Sequence, residues 1–186
     1  SFIYDTSFVV PVIASFDIAA SPAGGLVAAS HVATGAKVTL TLTAKTINDV
    51  AAVTYKGAAV LKVATGSGVA LTGTGVTDLG NGRATLSADD WVVGERVVTL
   101  TDTTSEDTLT VAIQDCTDAT NIYVGSLDSS IVITAGARTK IVVDAAESVG
   151  QGDMFWVDVT YADKYGNARV TDNGFVSVSA NKLGVE

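Results

Sequence analysis

From Val38 the chain reads VTLTLTAK, which sets Val38, Leu40 and Leu42 on one side of an extended backbone and Thr39, Thr41 and Thr43 on the other. That two-residue period is the pattern of a strand covered on one face only. Similar tracts follow at short intervals: AVLKVA at 59–64, RATLS at 83–87, RVVTLT at 96–101 and TLTVAI at 108–113. Turn segments such as Gly66-Ser67-Gly68 and Gly80-Asn81-Gly82 separate them. Short strands at regular spacing, with no helical tract between them, predict an antiparallel β-sandwich. Residues 27–33 hold enough alanine to tolerate a helical turn, but Gly24-Gly25, Ser30 and Gly35 cut any helix short, so a loop or short excursion is expected there.

Composition agrees with that class. Of 186 residues 47% are hydrophobic, enough for a substantial core, and the polar residues typical of exposed helices are scarce. The formal charge of −9, with the 11 Lys and Arg scattered, argues against a nucleic-acid partner and suits solubility outside a cell. Apolar runs such as residues 8–14 fall far short of the roughly 20 residues that cross a bilayer as a helix, so no transmembrane segment is expected. The chain opens at Ser1 without a basic segment followed by an apolar run, so any secretion signal is expected to have been removed already or to lie outside this numbering. Cys116 is the single cysteine, so neither an internal disulfide nor a multi-cysteine metal site is available.

After Ile113 a polar interval, QDCTDATN, precedes a fresh strand series: SSIVITA, TKIVVDA, DMFWVDVTYAD, ARVTDN and GFVSVSA. The predicted organisation is an extended arm or first strand over 1–15, a sandwich over 16–115, a linker over 116–129 and a partial second module over 130–186.

In the order of its features the first module resembles the bacterial and archaeal immunoglobulin-like repeats (invasin and intimin type) of surface, S-layer and filament proteins. The resemblance rests on VTLTLTAK at 38–45, YKGAAVLKVA at 55–64, LGNGRATLS at 79–87 and VVTLTDTTSEDTLTVAI at 97–113, and covers roughly residues 16–114. WVDVTYADKYGNARVTD at 156–172 is similar to the strand, Lys-Tyr-Gly-Asn turn and strand of the same repeats, with Ala168 where they usually carry proline. It implies tandem immunoglobulin-like antiparallel sandwiches at a cell surface, outside the cell.

An immunoglobulin-like sandwich needs about seven strands. Residues 130–186 have room for roughly three to five, so that module is expected to leave its apolar face and edges open. Its completion would come either from chain beyond Glu186 or from a strand of another subunit. The apolar start, SFIYDTSFVVPVIASF, reads as a candidate donor or as the first strand of the first module. The expected assembly interface comprises Phe2, Ile3, Tyr4, Phe8, Val10, Val12 and Phe16, with Trp156, Phe175 and Val178 of the second module. Of Phe155 and Trp156, alternation sends one into the core and the other outward, toward an adjoining module or subunit.

Catalytic and cofactor signals are missing. His31 stands alone in a Ser- and Ala-rich stretch, no G-x-S-x-G elbow is present, and GTGV at 73–76 has no following helix to bind phosphate. The expectation is a non-enzymatic protein without cofactors. Acidic residues gather at Asp89-Asp90, Asp102 with Glu106 and Asp107, Asp115 with Asp118, Asp163 and Asp172. Carboxylates at module junctions could hold Ca²⁺, but without an EF-hand loop most read as solvated turns and local side-chain caps. The expected function is a structural subunit of a filament, sheath or S-layer, a homo-oligomer or polymer built by strand exchange. Spacer modules of a cell-surface adhesin are the alternative, and a carbohydrate-binding accessory module meeting host or cell-surface glycans is a third.

Overall fold

The structure, a computed structural model, describes residues 13–21, 30–64, 67–105, 108–116, 124–150, 152–170, 172 and 174–177. The chain divides into two compact units, Ser1–Thr134 and Ala135–Glu186. Every regular element among the described residues is a strand.

The first unit is an immunoglobulin-like sandwich. Its strands are β1 (Ile13–Ser21), β2 (Ser30–Ala33), β3 (Lys37–Thr46), β4 (Ala59–Ala64), β5 (Val69–Thr72), β6 (Val76–Gly80), β7 (Arg83–Leu86), β8 (Glu95–Asp102), β9 (Thr108–Asp115), β10 (Val124–Ser126) and β11 (Ile131–Thr134). One sheet runs β1-β3-β8-β5 and the other β2-β11-β9-β4-β7-β6, with β10 also paired to β9. All pairs are antiparallel except β2 with β11.

The two-residue period decides what lies between the sheets. In β3 it buries Val38, Leu40, Leu42 and Ala44, and in β9 it buries Leu109, Val111 and Ile113. Fully burying each such aliphatic side chain is worth about 1.5–3 kcal/mol. At one place the core turns aromatic. Phe16, Tyr55 and Trp91 pack with ring centroids 4.8–5.7 Å apart. The polar ends of two of them are satisfied: Trp91 Nε1 donates to the Gly57 carbonyl at 2.8 Å and the Tyr55 hydroxyl to Asp115 Oδ1 at 2.9 Å.

Several expectations change here. Residues 30–33 form β2 rather than a loop, because a parallel partner in β11 takes up their backbone groups. The polar interval after Ile113 does not end the first unit. Val124–Ser126 returns along β9, and Ile131 and Ile133 each lie about 1% exposed in the first core, so the division falls after Thr134. Gly125 is needed in that return, since a Cβ there would run into the Phe16 carbonyl. The core tryptophan is Trp91, 3% exposed, whereas neither member of the 155–156 pair is buried: Phe155 is 50% exposed and Trp156 90%.

The second unit has two paired strands among its described residues, β12 (Lys140–Ala145) and β13 (Val157–Ala162), antiparallel with Ile141 opposite Tyr161 and Val143 opposite Val159. Of the expected strand at 168–173, the described residues 168–170 and 172 show a single bridge, between Ala162 and Ala168, and 174–177 are not in a strand.

Candidate assembly surface

The β12–β13 ribbon is amphipathic across its thickness. Side chains directly opposite in an antiparallel pair share a face. One face therefore carries Ile141, Val143 and Ala145 from β12 with Tyr161, Val159 and Val157 from β13. The other carries Lys140, Val142 and Asp144 with Ala162, Thr160 and Asp158. In a finished sandwich the first set would be core. Here none of the six is buried, and Ile141 and Val143 are 51% and 60% exposed. Beyond the ribbon, Met154, Trp156 and Phe175 stand almost wholly in solvent.

The ribbon is exposed but not loose, because the turn at its end is tied. Asp163 is about 1% exposed, and its Oδ1 accepts the backbone N–H groups of Tyr165, Gly166 and Asn167 at 2.9–3.0 Å. Its Oδ2 accepts the Gly136 N–H at 3.0 Å, and the Asn167 side-chain amide donates to both oxygens. Gly166 supplies the φ of +100° that the turn requires. Arg169 extends the clamp: it forks onto Asp172 through Nε at 2.8 Å and Nη2 at 3.0 Å, and Nη1 donates to the Gly136 carbonyl. That pairing holds the Asp172 carboxyl below its ordinary range and raises the Arg169 guanidinium. Arg138 lies over the Tyr161 ring, 4.4 Å from its centroid, and Lys164 over Tyr165 at 4.7 Å.

Among the residues expected at the interface, Trp156 and Phe175 are exposed in the second unit. Phe16 is not available: it is 5% exposed in the core of its own sandwich, held there by the pairing of β1 with β3. Phe2, Ile3, Tyr4, Phe8, Val10, Val12 and Val178 lie outside the described residues. Sequence reasoning missed Ile141, Val143 and Val159 as surface residues. Their alternation marks an apolar face but carries no sign of whether a second sheet covers it.

The acidic residues act mainly as local caps, and three are buried rather than solvated: Asp102, Asp115 and Asp163, each 1–3% exposed. Asp102 accepts the Thr104 N–H at 2.9 Å, and Asp90 faces Arg96 at 3.7 Å. Among the described residues no three His, Cys, Asp or Glu side chains converge as a metal site. Glu106, Asp107 and Asp118 lie outside those residues. A shallow groove on the outer side of the larger sheet is lined by aliphatic and polar groups, among them Val60, Lys62, Arg83 and Gln114, with no aromatic side chain among its described lining residues. No described helix is long and apolar enough to cross a membrane.

No protein-family model and no curated protein matches the chain. Three solved structures resemble it distantly. Domains 5–6 of the S-layer protein SbsC align over 94% of this chain and 80% of that one, at 16% identity and a TM-score of 0.41. Domains 4–9 of the same protein align over 94% of this chain and 26% of that one, at 17% identity and 0.40. The Escherichia coli adhesin FdeC aligns over 83% and 42%, at 18% identity and 0.38. Likeness of this degree assigns neither family nor activity.

Proposed function

We propose that the chain is a non-enzymatic structural subunit of an extracellular, cell-surface assembly, a filament, sheath or S-layer, and that the β12–β13 ribbon is where subunits join. The carrying observation is the apolar face of Ile141 and Val143, both exposed, with the half-buried Val157, Val159 and Tyr161 beside them, on a ribbon whose end turn is clamped by Asp163. An apolar face that is ordered yet open is the complement of a second layer supplied from outside the unit. In this reading the arm of a neighbouring subunit, which the pairing of Ile13 and Ser15 with β3 shortens to residues 1–12, supplies that layer, its apolar side chains packing on those of the ribbon. Repeated head to tail, the contact extends without closing.

Electron microscopy of the purified chain, with and without residues 1–12, which precede β1, tests this. Ordered fibres or sheets that disappear on deletion support it. Monomers at every concentration favour instead the spacer of an adhesin, to which the tandem arrangement of two β units is equally suited. A change in tryptophan emission on adding polysaccharide would favour the carbohydrate-binding alternative, since Trp156 is 90% exposed. Calcium at the acidic clusters belongs to the same proposal as a secondary element, and a melting temperature lowered by chelator is its signature.

A further inference from the structure

Resting on the reading of the ribbon as the joining surface, we infer that the open edge of β12 pairs antiparallel with β12 of a second copy, forming a two-fold symmetric four-stranded sheet. Among the described residues β12 pairs with β13 alone, and all six of its residues are exposed. An open edge is a template for another strand. Which strand it accepts depends on backbone direction and on side-chain complementarity, and both are legible here.

Direction comes first. The Arg169 N–H donates to the Tyr161 carbonyl and the Asp163 N–H to the Asn167 carbonyl, so the backbone groups of Tyr161 and Asp163 point away from β12. Residues directly opposite in an antiparallel pair point their backbone groups either both inward or both outward. Ile141, opposite Tyr161, therefore turns its N–H and C=O to the open side, and the two-residue period does the same for Val143 and Ala145. A second β12 can bond to this edge only with outward residues facing outward residues.

Complementarity then selects among the registers that remain. With the two-fold axis at Val142, Ile141 of each copy faces Val143 of the other, and the apolar face continues unbroken across both copies. On the opposite face Lys140 of each copy meets Asp144 of the other, giving two opposite-charge pairs. Sliding by two residues in either direction sets Asp144 or Lys140 against Val142 and loses both pairs. Lysine on an edge strand ordinarily discourages pairing; Asp144, four residues on and on the same face, answers it in this one alignment. The contact is isologous and closes as a dimer, so it leaves the apolar face for the neighbour's arm.

The test is mild oxidation of Val142→Cys in a Cys116→Ser background, with Val143→Cys as the control. In the inferred alignment the two copies of residue 142 form a non-hydrogen-bonded pair with Cα atoms about 4.5 Å apart, inside the disulfide range of roughly 4.4–6.8 Å. Covalent dimer should form at 142 and roughly tenfold more slowly at 143, which faces residue 141 rather than itself. By sedimentation, Lys140→Asp or Asp144→Lys alone should weaken dimerisation roughly tenfold, and the double exchange should restore it. Equal rates at 142 and 143, faster coupling at 143, or no restoration by the double exchange overturns the inference. Fibres without coupling at 142 leave the assembly reading standing while this inference falls. A dimer coupled at 142 that grows no further does the reverse.

Discussion

Asp163 and Asn167 are bound twice over: the Asn167 backbone N–H donates to Asp163 Oδ1 at 3.0 Å, and its side-chain amide donates to both carboxylate oxygens at 3.0 and 3.2 Å. With Tyr165, Gly166 and Gly136 added, one buried carboxylate organises the turn that ends β13. Hydrogen bonds to a charged group are worth about 1.5–3 kcal/mol each, and an unsatisfied buried N–H costs about 1–3 kcal/mol. Asp163→Ala should therefore destabilise the second unit by about 3 kcal/mol or more and leave the first unit untouched. Amide exchange resolved by unit checks this, with β13 losing protection while β3 and β9 keep theirs.

Phe16 lies 5.5 Å from Tyr55 and 5.7 Å from Trp91, centroid to centroid. As a core residue it should cost about 3–5 kcal/mol when cut to alanine. Urea unfolding of the first unit measures the loss. A Phe16→Ala protein of unchanged stability but impaired association would put Phe16 back at an interface.

Val93 has a φ of +54°, costly for a β-branched side chain, in a tight hairpin where Val92 and Glu95 exchange backbone hydrogen bonds at 2.9 Å. Its side chain is 63% exposed, so the strain has no packing in return. Val93→Asn, which makes the turn Asn-Gly, should raise stability by about 1 kcal/mol, read as a higher melting temperature.

The ion pair of Arg169 with Asp172 sets a pH dependence. Asp172 is lowered from its ordinary value of 3.8, chiefly by the hydrogen bond from Arg169. A depressed carboxylate contributes stability above its unfolded pKa and loses it as pH falls through the folded value. The second unit should therefore soften below about pH 4, and Asp172→Asn should flatten that part of the profile. Because the pair is partly exposed, the effect is small and shrinks with added salt.

Legibility from sequence followed periodicity. β3, β4, β8 and β9 alternate over six to ten residues and could be read directly. β5 and β6 could not, because VALT is only four residues long between Gly68 and Gly73, and VTDLG carries Asp78 and Gly80 on a strand with no buried residue to mark its period. β2 was obscured because its pairing is with a strand a hundred residues later, which local pattern cannot show. The same non-locality misplaced β11 in the second module. Trp91 and Trp156 both follow turn-rich stretches, yet only Trp91 has two sheets to close over it. For the proposed joining surface, strand count raised only the expectation of an open module. The residues that form it, Ile141, Val143 and Val159, emerge only once the partner of β12 is known.

The most direct measurement is amide exchange across β12 as a function of protein concentration, alongside sedimentation. Subunits that join at the ribbon should protect the Ile141 and Val143 amides progressively as larger species appear. Exchange at those amides that stays fast and concentration-independent, whether the chain remains monomeric or associates elsewhere, would contradict the account.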